Sequence, residues 1–159
     1  MLFGCPDARP YDGRNARRRV HRTVMTSPTD PDPATFTQVT LITGADGRAY
    51  FGQRVLALSE GKPQVRLSRL WPSGGYQLRH SPVGFRSNFH CTEHAQWVFI
   101  LAGRMEIGLQ DGSCRVFGPG EHFHSGDLLP PGAVFNAEVH GHCSAQRGPD
   151  PLMTVFVRD

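Results

Sequence analysis

Histidines are the residues of this chain whose type and spacing point most directly to chemistry. Six of the eight fall in three close pairs, and the members of each pair are an even number of positions apart: His90 and His94, His122 and His124, His140 and His142. On a β-strand such residues share a face. Neutral imidazoles suit zinc, iron, nickel or copper, whereas magnesium or calcium would require carboxylates that these positions lack. The spacing therefore predicts a transition-metal site inside a β structure.

Two of these pairs are the main candidates for the site, and each also has a structural interpretation. His90 and His94 either ligate a metal or form a hydrogen-bonded pair that lines a cavity. His142, with His140 beside it, either supplies the closing ligand or caps a loop. The sequence leaves both alternatives open.

The third pair, His122 and His124, has two equally good placements. The two rings either line the same cavity or lie on the outer face of a sheet. The aromatic residues around the pairs are expected in the core rather than stacked on a substrate; they are Trp97, Phe99, Phe123 and Phe135.

Thiols and carboxylates near the histidines are not expected to do chemistry. Cys91 and Cys143 each adjoin a candidate ligand, but strand alternation predicts that they point to the opposite face. Glu93 and Glu138 are expected to face away for the same reason. We therefore predict neither a thiol nucleophile nor paired carboxylates, and Ser-His-Asp spacing is not recognisable.

The elements that must position these side chains are short strands. From Phe36 onward, apolar runs of alternating pattern are separated by Gly- and Pro-rich turns, and helical periodicity is almost absent. Closing into a barrel or doubling into a jelly roll is the usual way for such strands to protect their edges. The clearest predicted strands cover residues 36–42, 50–58 and 76–80, a hairpin at 105–109 and 114–116, and an interior strand at 152–157.

The first part of the chain differs from the rest in charge. Residues 1–25 carry six Arg and two Asp, whereas the whole chain has a net charge of only +3. Residues 1–34 are expected to be a disordered leader. Alternatively, the sequence begins at an upstream start, and Met25 is the true first residue. No apolar segment suits secretion or a membrane span, and basic residues of the domain are scattered. We expect a cytoplasmic protein that binds neither membrane nor nucleic acid.

The segment around the first pair resembles the first motif of the cupin family. In that motif a His-x-His pair precedes a Glu, and a Gly follows the Glu by seven positions. His90 matches the first His and Gly103 the closing Gly, while Thr92 stands where the second His would be and Gln96 where the Glu would be. The resemblance implies that His94 replaces the ligand lost at Thr92. It also implies that Gln96 coordinates through its amide oxygen or hydrogen-bonds to a metal-bound water.

A later segment is similar to the second cupin motif, a Gly-Asp turn that leads to Pro-x-Gly and a late His. Residues 116–121 resemble the loop before that motif, and residues 130–132 resemble its Pro-x-Gly. The expected His would fall at Phe135. The nearest candidates are therefore His140 and His142, after an extension of the loop.

The resemblance covers residues 64–159 and implies an all-β fold for residues 35–159, a single cupin-type double-stranded β-helix or jelly-roll barrel. It implies a metal-dependent small-molecule enzyme of dioxygenase, isomerase or cyclase type, and a homodimer. The alternative is a metal-free cupin that binds a ligand or has a structural role. The implied metal is zinc or iron, and its ligands are His90, His94, Gln96, His140 and His142.

Overall fold

The computed structural model describes residues 34–159, so the predicted leader lies outside the described residues except for residue 34. The described part contains eleven strands and no helix. The strands are β1 (Thr35–Thr43), β2 (Ala49–Ala57), β3 (Glu60–Lys62), β4 (Val65–Leu67), β5 (Gly75–Ser81), β6 (Gln96–Ala102), β7 (Arg104–Gly108), β8 (Cys114–Phe117), β9 (His122–Gly126), β10 (Cys143–Arg147) and β11 (Leu152–Arg158).

The strands form two main sheets. One has the order β2-β1-β9-β6-β11-β5 and the other the order β10-β7-β8. Residues 86–90 lie along the free edge of β10, because Arg86 pairs with Ala145 and His90 pairs with His142. From β5 onward, the chain alternates between the sheets except at the β7–β8 hairpin, which is the order of a double-sheet jelly roll, the architecture of cupins. The all-β jelly roll predicted from the sequence is confirmed by this strand order.

The first two strands extend the larger sheet. β1 pairs in parallel with β9 through Thr40, Leu41 and Ile42, and β2 pairs with β1 in antiparallel register. β3 and β4 form a separate short hairpin. β11 lies between β5 and β6, which confirms the prediction that it is an interior strand.

The core fills the space between the sheets. Alternation along β9 buries Phe123 and Ser125 and turns their neighbours outward, as a strand covered on one face requires. Phe117 and Phe123 are almost fully buried, with ring centroids 4.6 Å apart. The core residues are Val39, Leu41, Ala49, Val98, Ile100, Met105, Ile107, Leu109, Phe117, Phe123 and Leu152.

Two further observations concern membrane-spanning helices and the cysteines. Among residues 34–159 there is no helix long and apolar enough to cross a membrane. Within the same range, Cys91 and Cys143 are free thiols, whereas Cys114 is disulfide-bonded.

Candidate functional site

A buried aspartate and a buried histidine form the centre of the candidate site. Asp127 directly follows the end of β9, and its side chain is fully buried. His142 directly precedes β10 and is 6% exposed. The Nδ1 of His142 lies 2.6 Å from the Oδ2 of Asp127. A carboxylate only accepts hydrogen bonds, so the proton of the neutral imidazole lies on Nδ1 and the Nε2 lone pair is left available.

Two buried hydroxyls hold the other oxygen of this carboxylate. Thr92 and Ser125 donate to the Oδ1 of Asp127 at 2.7 and 3.0 Å, and their two hydroxyl oxygens are 2.6 Å apart. The backbone N–H of Thr92 also donates to the carbonyl of Asp127. Because three side chains hydrogen-bond to the carboxylate, Asp127 is positioned firmly and in turn orients His142.

His90 lies beside His142 on the neighbouring segment. The two residues exchange a pair of backbone hydrogen bonds of 2.9 Å, and their ring centroids are 4.6 Å apart. The Nδ1 of His90 bonds to the carbonyl of Asn88 at 2.9 Å, so its Nε2 is also left available. Desolvation by the surrounding protein, with a smaller contribution from His142, lowers the pKa of His90 below its ordinary value, although the hydrogen bond to Asn88 opposes this shift. The shift favours the neutral form of the ring.

His90, His142, Thr92 and Ser125 line a cavity of about 250 Å³ between the two sheets, and Asp127 lies behind them. Its apolar wall includes the core residues Val98, Met105 and Phe123. The exposed side chains of Glu93 and His94 also line it, so the cavity opens to solvent on that side. A small molecule can therefore enter from the solvent and reach His142.

The structure separates the five residues predicted as metal ligands. His90, His94, Gln96 and His142 all line the cavity. His140 does not, because it lies in the turn before β10, where its Nδ1 accepts a hydrogen bond from the backbone N–H of Asn136. The predicted His140 and His142 pair is thus divided between a loop and the cavity.

The prediction that residues 90–96 form a strand was wrong. β6 begins only at Gln96, and residues 91–95 are irregular and bent. Strand alternation therefore does not apply, and Cys91 and Glu93 line the cavity together with Thr92 and His94 rather than facing away. Burial, and the charge of Asp127, raise the pKa of the Cys91 thiol. This thiol is therefore a poor nucleophile at neutral pH.

Of the two placements for the third histidine pair, the structure favours the outer sheet face. His122 stacks on Phe36 with ring centroids 4.8 Å apart, and His124 Nε2 lies 2.8 Å from a carboxylate oxygen of Asp159. Neither residue lines the cavity.

The aromatic residues expected in the core divide in the same way. Phe123 is buried in the core, whereas Trp97 and Phe99 stack on the outer face with their ring centroids 5.8 Å apart. Phe135 is 42% exposed in a loop. The prediction of a core role is correct for Phe123 alone.

The implied metal can be tested against the donors that are present. His90 and His142 each offer an Nε2 and commit Nδ1 to an acceptor, as metal-binding imidazoles commonly do. At the position of the second motif histidine, however, the Thr92 hydroxyl is bound to Asp127. No group of three or more His, Cys, Asp or Glu within residues 34–159 is arranged to hold a metal ion. Two imidazoles fall short of the three protein ligands usual in a catalytic zinc site, so the residues do not fit the implied metal.

Sequence reasoning missed several residues of the site. Asp127, Ser125 and Arg79 were given no role in it, and Thr92 was considered only as the position of a lost ligand. Asp127 could have been noticed because it directly follows a strand and precedes the segment in which the second-motif histidine was expected. Arg79 lies on β5 and had no signal of its own, because an arginine on a strand is usually a solvated residue.

The solved structures that resemble this chain include two of low similarity. No family model and no curated protein matches the chain. The cupin domain of Cnp3 from Schizosaccharomyces pombe is 15% identical with a TM-score of 0.37, and the match covers 82% of this chain and 86% of that one. A candidate mannose-6-phosphate isomerase from Ralstonia eutropha is 16% identical with a TM-score of 0.31, over 88% of this chain and 97% of that one. By its own strand order, the chain has a double-sheet jelly-roll fold, an architecture that cupins share.

Proposed function

We propose that the domain is a small-molecule enzyme in which His142 moves a proton. The observation that carries the proposal is the fully buried Asp127, which bonds His142 Nδ1 and leaves Nε2 as the proton acceptor in the cavity. A carboxylate behind an imidazole holds the required tautomer and stabilises the imidazolium that forms when a proton is taken. The Ser125 hydroxyl bonds to Asp127 rather than to His142, which disfavours an acyl-transfer triad.

The chemistry that suits this arrangement is proton removal from carbon next to a carbonyl group. His142 accepts the proton at Nε2, and the resulting imidazolium returns it to the same or a neighbouring atom. An isomerase reaction of this kind needs no external oxidant or reductant. Protein atoms around the cavity limit the access of water and strengthen the Asp127–His142 interaction.

The test is hydrogen–deuterium exchange at carbon in D2O, followed by proton NMR with a panel of small ketones and 2-keto acids. We expect the wild type to accelerate exchange of at least one compound and His142→Gln to slow it by about 100-fold or more. His80→Gln, which changes an exposed histidine outside the cavity, is the matched control. Equal rates in wild type and His142→Gln would contradict the proposal. A panel that binds without exchange would favour the metal-free ligand-binding cupin.

A metal-dependent enzyme of dioxygenase, isomerase or cyclase type is the second candidate. The adjacent His90 and His142 rings are the observation behind it, but no third His, Cys, Asp or Glu of the described residues is grouped with them. A third ligand would have to move in from elsewhere on the cavity lining, with His94 and Gln96 as the predicted donors. Zinc or iron would supply Lewis-acid or oxidative chemistry when bound. Elemental analysis of protein purified without a His tag or chelator tests this candidate. Stoichiometric metal that is lost in both His90→Ala and His142→Ala would support it over the first proposal.

We also propose that the protein is cytoplasmic and that it forms a homodimer. Size-exclusion chromatography with light scattering tests the dimer directly.

A further inference from the structure

One charged side chain at the cavity has no role in the proton-transfer site. Arg79 lies on β5 opposite Thr154 of β11 and lines the cavity. Its guanidinium carbon is 4.6 Å from the ring centroid of Phe85 and 5.8 Å from that of Phe156. The guanidinium is thus held between aromatic rings and is only partly exposed.

This guanidinium has no anionic partner in the part of the chain that the structure describes. The arginine ion pair within residues 34–159 is that of Arg147 with Glu106, and the hydrogen bond raises the pKa of Arg147. Burial without such a partner lowers the pKa of Arg79 instead. A partly desolvated cation is costly unless an anion pairs with it, and its five N–H donors can hold one.

The other charges at the cavity add to this preference for an anion. Arg158 also lines the cavity. Its Nη2 donates to the amide oxygen of Gln77, a neutral group that does not offset the charge of the guanidinium. Glu93 is the one carboxylate on the cavity surface among the described residues, and it lies at the exposed side. Asp127 keeps its charge but lies behind His142 rather than on the cavity surface. On that surface two guanidinium groups therefore outnumber the single carboxylate, which favours an anion beside Arg79.

We propose that the cavity takes a small carboxylate with a compact apolar body, and that Arg79 binds its charge. This inference rests on the proposed function and names the class of its substrate. A planar guanidinium pairs with a carboxylate through two parallel hydrogen bonds. The apolar wall formed by Val98, Met105 and Phe156 suits a hydrocarbon body, and a cavity of about 250 Å³ limits its size.

The experiment is calorimetric titration of the full chain with benzoate, with its neutral analogue benzamide, and with inorganic phosphate. We expect benzoate to bind at least about tenfold more tightly than benzamide or phosphate. Arg79→Gln should weaken benzoate binding by about tenfold or more and leave benzamide binding unchanged, while Arg79→Lys should give an intermediate loss. Arg54→Gln, an exposed arginine of β2 outside the cavity, is the matched control. Thermal unfolding establishes that each variant is folded.

Several results would overturn the inference. They are equal binding of benzoate and benzamide, tighter binding of phosphate, unchanged benzoate binding in Arg79→Gln, and no binding of benzoate at about 10 mM. Carbon exchange of a neutral ketone that depends on His142 would leave the proposed function intact in each case. Benzoate binding that requires Arg79, without exchange of any compound, would contradict the proposed function while supporting the carboxylate site.

Discussion

The Nδ1 of His142 lies 2.6 Å from the Oδ2 of Asp127; both side chains are buried, and His142 lines the cavity between the two sheets. The two residues are 15 positions apart, on either side of the loop that joins β9 to β10. Because the carboxylate orients the imidazole, the proton-accepting nitrogen faces away from Asp127. This relationship carries the proposed function and makes Asp127 a positioning residue for His142.

Replacing Asp127 should strongly destabilise the fold. In Asp127→Ala the Thr92 and Ser125 hydroxyls and the Nδ1–H of His142 all lose their acceptor in a buried site. We expect a loss of about 3 kcal/mol in the free energy of unfolding, measured by urea denaturation. Asp111→Ala, in an exposed turn where Asp111 accepts from Ser113, is the control and should cost less than about 1 kcal/mol. Similar losses in both variants would mean that the buried network contributes little.

The closing glycine of the first cupin motif should tolerate no side chain. Gly103 has a φ of +73°, and a Cβ there would lie 2.4 Å from the carbonyl oxygen of Pro151. Gly112, in the β7–β8 hairpin turn, has a φ of +84° but open space around its Cβ position. Gly112→Ala should therefore show only the backbone penalty of about 1 kcal/mol, and Gly103→Ala a loss at least about 2 kcal/mol larger. Thermal and urea unfolding measure both, and equal losses would show that the close approach to Pro151 is relieved without cost.

Burial of His122 among the aromatic rings of the outer sheet face should make the free energy of unfolding depend on pH. Desolvation lowers the pKa of His122 from its ordinary value of 6.5, so the unfolded chain binds a proton more readily than the folded one. The contribution of the neutral His122 to the free energy of unfolding is complete above about pH 6.5 and is lost as pH falls through the lower folded-state pKa. His122→Phe keeps the stacking on Phe36 and should flatten the decline in unfolding free energy between about pH 6.5 and 5. His80→Gln, at an exposed position, should leave the slope unchanged, and an unchanged slope in His122→Phe would refute the assignment.

The ion pair across β7 and β10 should contribute measurably because of its geometry. Arg147 donates to both oxygens of Glu106, and the two side chains are 28% and 14% exposed. A double-mutant cycle with Glu106→Gln and Arg147→Gln should give a coupling energy of about 1 kcal/mol, which decreases as salt is added. A coupling energy near zero at low salt would mean that solvent screens this pair as it does an ordinary surface pair.

Much of the fold follows from local features of the sequence. Alternating apolar residues and Gly-rich turns predicted the strands, because alternation and turn geometry depend on near neighbours. The hairpin of β7 and β8 is of this kind. The resemblance to cupins added the expectation of a jelly-roll arrangement, whereas the pairing order came from the structure.

The site was only partly predictable, since its members meet through the tertiary fold. Cys91 and Glu93 were expected to face away, but residues 91–95 leave the strand pattern and bring both to the cavity. The sequence by itself determined the short β strands, their turns and the clustering of histidines, since these depend on residues a few positions apart. The pairing of Asp127 with His142 and the placement of Arg79 at the same cavity were decided only by the tertiary structure, because the two sheets bring together residues far apart in the chain.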